Sequence, residues 1–491
     1  MDTHSTTIRC SSASPATEPK DASPTATLKG EMGTFGLLFT VLAFTAPLGV
    51  VFGFLSVNIS FGIAVPIAFV AVLLLMTLFA LGFTSMSRKI PRPGAFYTYI
   101  GEGLGRPVGL GGSFLALSTY GFNIIAALVF SGIGVNNLFT SFTGGAGAPW
   151  WIWSLIMLGA VWVLSYFNVE LSAKVLSVLL AVEVCAILVF DIVMISNGGP
   201  EGHSLTPWNP ENLVTPSIGV LLLFSIGVFN GFEATAIYRD EVRDPEVTIP
   251  RATYLTIIFL GVFYAISSYS LILSSGASRA VADAAAAPAE MMPHALLTYI
   301  GAFANQVIAV LVVTSMFAST LSLQNILSRY THSLSVDGVF PRRLAAVHQR
   351  HGSPHISAVT VGAVLLVVML GLIASGIPES DLYGATSGVA FYGMLLLLLL
   401  TSIAVIAYFR RHRQGASPWK TLVAPAVSAL AIGFALLTAS LNMDLLIVAP
   451  TAVVTLLLAV GYVMVLAGVV TALILKRRGS ATYERIGRRA G

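Results

Sequence analysis

Twelve stretches of about twenty residues, almost free of charge, recur along this sequence, and nothing else in it restricts folding so strongly. A bilayer core takes ~20 apolar residues per helix, because each residue rises only ~1.5 Å. The stretches run approximately over 34–57, 61–85, 107–140, 150–167, 171–196, 216–238, 252–275, 299–328, 356–376, 384–409, 421–440 and 446–475. The third, eighth and tenth are long enough to cross at a tilt. Composition agrees: 56% of the 491 residues are hydrophobic and 10% are charged, with a mean hydropathy of +0.86. Soluble domains carry ~25% charged residues, enough to cover their outside. A soluble enzyme, a disordered protein and a nucleic-acid binder are therefore excluded. The surrounding partner of this chain is lipid.

The net charge of +4 and a pI near 9.0 look at first like attraction to anions. Sorted by position they report orientation instead, since basic residues concentrate in cytoplasmic loops. With an even number of spans both ends share one side. If the N-terminus is inside, 25 of the 26 Lys and Arg residues fall inside, and Arg279 is the exception. The expectation is a multi-pass protein of the cytoplasmic membrane with both termini in the cytoplasm. Residues 1–30, rich in Ser, Thr, Ala and Pro, read as a disordered tail without the apolar core of a signal peptide. Residues 476–491 read as a basic tail. Cys10 and Cys185 sit in unrelated settings and frame neither a disulfide nor a zinc site. The long outer connection 276–298 looks like a loop with a short amphipathic helix over the outer surface, packed there or gating access.

The sequence lacks the phosphate-cradling G-x-x-x-x-G-K-S/T loop, the H-E-x-x-H metal helix and the G-x-S-x-G nucleophile turn. It contains neither a selectivity-filter sequence nor an Arg-rich voltage sensor. A polytopic bundle with no catalytic motif, no cofactor signature and no fuel site is expected to be a secondary transporter. Such proteins bind their solute where two helices unwind at matching places of two repeats. The first stretch holds 46-APLGVVFGF-54 and the sixth 225-SIGVFNGF-232. Gly49, Val50, Gly53 and Phe54 recur as Gly227, Val228, Gly231 and Phe232. Glycine tolerates unwound backbone, and Pro47 removes a donor from the first stretch. Such backbone offers N–H groups to a carboxylate and C=O groups to an ammonium. Close helix packing also uses glycine, but the paired placement favours the broken spans.

Three loops carry a family resemblance. The run 228-VFNGFEATAIYRDEVRDPEVTIPRAT-253 resembles the sixth span and following loop of the amino acid–polyamine–organocation permeases, with Gly-Phe-Glu, an acidic pair, Asp-Pro and Ile-Pro-Arg-Ala. The runs 327-LSRYTHSLSVDGVFPRRLAAVHQRHGSPH-355 and 87-SRKIPRPGAFYTYIGEGLGRPVG-109 are similar to that family's loops after the eighth span and before the third. The resemblance implies an all-α membrane protein of twelve transmembrane helices in a LeuT-like five-plus-five inverted repeat, plus two C-terminal helices. The permease domain then covers 31–475, with 34–196 as first repeat, 216–409 as second and 421–475 as the added pair. Where the family usually has Gly-small-Gly in the first break, this chain has Pro47-Leu48-Gly49, so the anion-binding N–H groups fall to Leu48, Gly49 and Val50. The backbone of Gly227, Phe229, Asn230 and Gly231 faces them, with Tyr120 and Asn123 of span three nearby; Thr386 is a further candidate.

Three acids and no base lie in the interior of the spans, Lys174 standing at the cytoplasmic end of the fifth. A charge at the bilayer midplane costs ~2.5–3.5 kcal/mol or more, so each needs a reason. Asp191, near the outer end of span five, is expected to snorkel to water. Glu233 directly follows the second break, at a position the resemblance associates with proton coupling or gating; capping of neighbouring backbone is the structural alternative. Glu183 lies close to the midplane of span five, where several proton-coupled relatives carry a lysine. As a buried carboxyl it becomes a proton carrier; together with Ser319, Thr320 and span-one carbonyls it could instead hold Na⁺. The proton is the favoured coupling ion. Aromatic residues around the second break (Phe224, Phe229, Phe232) either close over substrate or simply pack. His348, His351 and His355 lie in a basic loop and read as loop residues rather than a metal set, and Asn58-Ile59-Ser60 lies too near span ends for glycosylation. The expected protein is an amino acid permease using proton symport or exchange. A polyamine or organic-amine exchanger is the rival, and a non-transporting ligand sensor is a more distant one because the cytoplasmic segments are short.

Overall fold

Backbone in lipid must satisfy its own polar groups, which leaves these stretches only the helix. The computed structural model describes residues 32–486 except 91, 93–94, 146, 168–172, 349–352, 413–416 and 443–450. The N-terminal tail 1–30, His351 and the end of the basic tail, 487–491, lie outside the described residues. Among the described residues the fold is helical, apart from a single parallel bridge between Met32 and Val242.

The first stretch is three helices in series, α1 (Thr34–Thr45), α2 (Pro47–Gly53) and α3 (Leu55–Ser60). There follow α4 (Val65–Lys89), a short α5 (Ala95–Leu104), α6 (Arg106–Thr143), α7 (Trp150–Tyr166) and α8 (Ala173–Asn197). The second half opens with α9 (Ile218–Gly227), unwinds, and resumes as α10 (Ala234–Ile237) and α11 (Pro245–Ser275). Next come α12 (Ala280–Ala286), α13 (Pro288–Tyr299), α14 (Ala302–Val336), α15 (His355–Ala374) and α16 (Glu379–Arg411). The chain closes with α17 (Ala424–Leu441), α18 (Thr451–Arg477) and α19 (Ala481–Arg485). Ten helices among the described residues are long and apolar enough to cross a membrane. Two shorter apolar helices, Trp150–Tyr166 and Ile218–Gly227, occupy the fourth and sixth expected stretches. The sixth is short because the chain unwinds after Gly227.

Each helix sorts its residues by surroundings rather than by polarity. On α8, Leu180, Ile187, Phe190 and Met194 are buried, whereas Val178, Val182, Val189 and Ile192 on the other face are exposed and equally apolar. That is the signature of a helix with protein on one side and lipid on the other. The long helix α6 runs against α14, α16 and α18, while α1 packs between α8, α11 and α14.

Polar ties gather at one end of the bundle. Arg239 Nη1 donates to the Ser87 carbonyl at 2.9 Å, and Arg88 Nε to that of Glu246 at 3.1 Å. Arg329 pairs with Glu241 at 3.3 Å, and Arg106 with Glu484 at 3.1 Å. The Tyr97 hydroxyl donates to Asp337 at 2.8 Å. At the opposite end the 276–298 connection forms two helices, α12 and α13, where one was expected, and both pack on α3. Beside them Glu201 accepts from the backbone N–H of Ser278 at 3.2 Å and from its hydroxyl. These donors hold the Glu201 carboxyl below its ordinary value. A lowered folded value stabilises above the unfolded pKa of ~4.3 and is lost as pH falls through the folded one. Proteolysis of the 198–204 turn is therefore expected to stay constant from neutral pH down to that range and to accelerate only below it; acceleration already near pH 6 would contradict the contact.

Candidate functional site

The first span breaks at Ala46, one residue before the expected Pro47-Leu48-Gly49. Ala46 adopts φ 45° and ψ 66°, the left-handed region that non-glycine residues rarely enter. The proline explains the offset: its ring disfavours helical backbone in the preceding residue, and its fixed φ suits the first position of a new helix. The N–H groups of Leu48 and Gly49 open α2 and have no partner within it. Val50 is different from expectation, because its N–H donates to the Ala46 carbonyl at 3.1 Å. Of the three N–H groups expected to be available to an anion, those of Leu48 and Gly49 are left over by the helix and that of Val50 is not.

The second break runs from Val228 to Glu233 and is closed by its own acid. Gly231, at φ 114°, lies where a Cβ would come within 2.3 Å of Phe44 Cδ1 and 2.7 Å of Thr45 Cγ2. Only glycine fits, and the two breaks touch there. The fully buried Glu233 carboxylate accepts the Gly231 N–H at 2.9 Å and the Tyr120 hydroxyl at 2.7 Å. The backbone-capping alternative for Glu233 thus matches the geometry. Tyr120 is turned to Glu233 and to the rings of Phe44 and Tyr330.

Between the breaks lies a cavity of about 50 Å³. Seven of the residues singled out from sequence line it: the site candidates Val50, Asn123, Gly227, Asn230 and Ser319, and Phe54 and Val228 of the recurring motif. Leu48, Gly49, Tyr120, Phe229, Gly231, Glu183, Glu233, Thr320 and Thr386 are not in its wall. Phe229 packs edge-on against Tyr264, and Phe232 against Phe79 and Phe83. The Thr386 hydroxyl donates to the Leu382 carbonyl of its own helix at 2.6 Å. Sequence reading missed Phe44, Thr45, Met316, Leu323 and Phe391 in the wall. Nothing separates a Met or Phe facing a cavity from one packing in a core when both lie in an apolar helix.

The recurring glycines act as sockets. The tip of Met316 lies where a Gly49 Cβ would stand, Tyr383 and Phe130 fill the place beside Gly53, and the Phe391 ring lies against Gly227. Packing and unwinding are therefore both served by the same glycines. On the α3 side of the cavity Phe54 meets Phe391 at 5.1 Å and Tyr383 at 5.2 Å between ring centres, and Phe224 meets Phe391 at 5.7 Å. This aromatic layer closes that side. The polar lining is neutral: Asn230 Oδ1 is buried and has no hydrogen-bond partner. The Ser319 hydroxyl donates to the Phe44 carbonyl at 2.8 Å, and that of Thr45 to Leu42 at 2.7 Å.

Glu183, 4% exposed, receives a hydrogen bond from Ser315 on α14 at 2.9 Å. Ser315, not Ser319 or Thr320, is its hydroxyl partner, and Thr320 donates to Met316 of its own helix at 2.7 Å. The oxygen set imagined for Na⁺ is thus not gathered on one point. No group of three or more His, Cys, Asp or Glu side chains suited to a metal exists among the described residues. Asp191 is also a correction. It does not snorkel but is 2% exposed, accepting from Ser267 on α11 at 2.9 Å. Asn58 is buried with its amide nitrogen donating to Ser225 at 2.7 Å, which closes it to glycosylation. His348 and His355 stack edge-to-face with Tyr166.

Two spans unwound against each other around a small neutral cavity place this molecule among the membrane transport proteins that enclose solute between broken helices. The family model described as amino acid permease matches residues 36–483, and the chain belongs to that family. The resemblance seen in the three loops is borne out, and the chain is a permease rather than an enzyme. The low-affinity putrescine importer PlaP of Escherichia coli (strain K12) is 24% identical over 383 residues, covering 75% of this chain and 79% of that protein. The branched-chain amino acid permease BcaP of Bacillus subtilis (strain 168) is 23% identical over 433 residues, covering 83% and 87%. The crystal structure of MhsT in complex with L-phenylalanine shares the fold, with a TM-score of 0.57 and 14% identity over 84% of this chain and 99% of that one.

Proposed function

We propose that this permease carries zwitterionic amino acids with apolar side chains by alternating access, coupled to protons in symport or working by exchange. The observation that carries the reading is the chemistry of the cavity wall. Its polar members are Thr45, Asn123, Asn230 and Ser319, and the rest are apolar or aromatic, with no charged side chain. The N–H groups of Leu48 and Gly49, which are outside the wall but lie along the chain between its members Ala46 and Val50, suit a carboxylate that enters from the cavity, and the unpaired Asn230 oxygen suits an ammonium. A diamine such as the one named for PlaP would bring a second ammonium into this wall with no carboxylate to meet it. An ion pair at 4 Å is worth about 4 kcal/mol at an effective dielectric of 20, and that attraction is missing here.

The membrane arrangement belongs to the same proposal: twelve crossings in two inverted repeats of five plus two, with both termini cytoplasmic. The short helices α7 and α9 supply the two crossings beyond the ten long ones. The basic-residue asymmetry supports the orientation, as does the gathering of Arg88, Arg106, Arg239 and Arg329 at one end.

Counterflow of labelled leucine, phenylalanine and putrescine into proteoliposomes tests the substrate reading. Leucine or phenylalanine is expected to exchange and putrescine not; the reverse order would refute it. In Asn230→Ala a hydrogen bond to a charged group, worth ~1.5–3 kcal/mol, is removed, so the apparent KM should rise about 10- to 100-fold. An unchanged KM would take Asn230 out of the site.

A further inference from the structure

Asp191 is a buried acid that the proposed cycle does not use. It lies eight residues beyond Glu183 on α8, about 12 Å further along the axis. Both side chains sit on the stripe of α8 that faces protein, at 4% and 2% exposure, and Ile187 between them is wholly buried. The hydroxyl of Ser267 donates to Asp191 Oδ2, while Oδ1 is buried and has no partner. An ionised carboxylate would there rest only on the hydroxyls of Ser267 and Ser270, both on α11, with no cation beside it, whereas a carboxylic acid can carry its proton on the unpartnered Oδ1.

We propose that Asp191 is a second proton-binding carboxyl, the station through which Glu183 exchanges its proton with the outer solution. This rests on the reading that Glu183 carries the coupling proton. In the transfer the Asp191 O–H bond breaks and a Glu183 O–H bond forms, with intervening water carrying the proton. The negative charge passes to Asp191, which takes its next proton from outside. Ile187 separates the two acids in this conformer, so the transfer belongs to a state in which α8 has moved against its neighbours.

Besides Glu183, no second buried carboxyl stands near Asp191 on the described residues of the helices packed against α8. From α11, the buried Tyr264 packs its ring on Phe69 and Phe229, and the Tyr269 hydroxyl donates to the Ser204 carbonyl at 3.1 Å; from α13, the Tyr299 hydroxyl donates to the Ser274 carbonyl at 3.1 Å. From α13 come Glu290 and His294, both exposed, and beyond the end of α8 lie Glu201 and His203, also exposed. The helices α1, α2 and α3 contribute none, and the titratable groups of α14 (Arg329, Tyr330, His332) stand at its far end.

The test uses full-length protein in proteoliposomes with fixed internal pH and varied external pH. Asp191→Asn should slow pH-driven uptake of labelled leucine about tenfold or more, with counterflow within twofold of wild type. Asp191→Glu should restore part of the pH-driven rate. An unchanged external-pH profile in Asp191→Asn overturns the inference. So does a proportional loss of counterflow in both variants, which marks a purely structural acid. If Glu183→Gln keeps pH-driven uptake while Asp191→Asn loses it, the Glu183 reading fails and the relay falls with it. If Glu183→Gln loses it and Asp191→Asn does not, the relay alone is overturned.

Discussion

Replacing Gly231 with alanine is expected to abolish transport and to lower the stability of the purified protein. Two costs act together. Backbone at φ 114° is open to glycine and costs other residues ~1–3 kcal/mol. The added methyl also meets Phe44 and Thr45 on the opposite broken span, and overpacking of this kind costs ~1–3 kcal/mol. Together they amount to about 2–6 kcal/mol, applied at the point where the two breaks touch. Relief would require α1 to shift away from the second break, which would also displace the Ser319–Phe44 bond at the cavity wall. The control is Gly121→Ala on α6, where a Cβ meets nothing within 4 Å. Thermal unfolding in detergent and counterflow measure the two effects. A Gly231→Ala protein with wild-type midpoint and uptake would show that the breaks are not locked together.

Glu183→Gln is expected to leave counterflow intact and to remove accumulation driven by a pH gradient. The substitution keeps shape and the ability to accept from Ser315, and takes away only the exchangeable proton. Counterflow needs the loaded carrier to move in both directions, which a permanently neutral side chain permits. Net accumulation needs the proton to ride one way and leave. The expected loss is to the level reached without a gradient. Unchanged pH dependence in proteoliposomes would remove Glu183 from coupling, and a Na⁺ requirement in the wild type would favour the cation reading instead.

Much of the architecture was legible because lipid imposes a simple length rule. Each apolar stretch coincides with helix among the described residues, although α11 begins seven residues earlier than expected and α14 ends eight later, and the two that fall short of a span by length, α7 and α9, were still found as apolar runs. The breaks were legible through glycine and proline, yet the first was misplaced by one residue. Its left-handed residue is Ala46, a type that gives no such signal, while Pro47 is the start of the new helix. Side-chain direction was the larger loss. Tyr120 on span three and Phe229 in the second break were both placed in the site, and both turn elsewhere. Met316 and Phe391 form its wall from helices whose sequence marks no inward face, because lipid and protein interior favour the same apolar residues. Asp191 was read as snorkelling from its nearness to a span end, and Ser267, 76 residues away, is what draws it inward.

The neutral cavity wall has an electrical consequence. A zwitterion brings no net charge, and the wall adds none. If each cycle also imports one proton on Glu183, one positive charge crosses per turnover. The voltage acts on the returning limb, where the ionised, empty carrier moves a negative site outward and an inside-negative membrane favours that movement. One elementary charge across 100 mV is worth ~2.3 kcal/mol, about a fiftyfold concentration ratio. The transporter would therefore generate current, and a membrane potential alone, at equal pH on both sides, would drive accumulation.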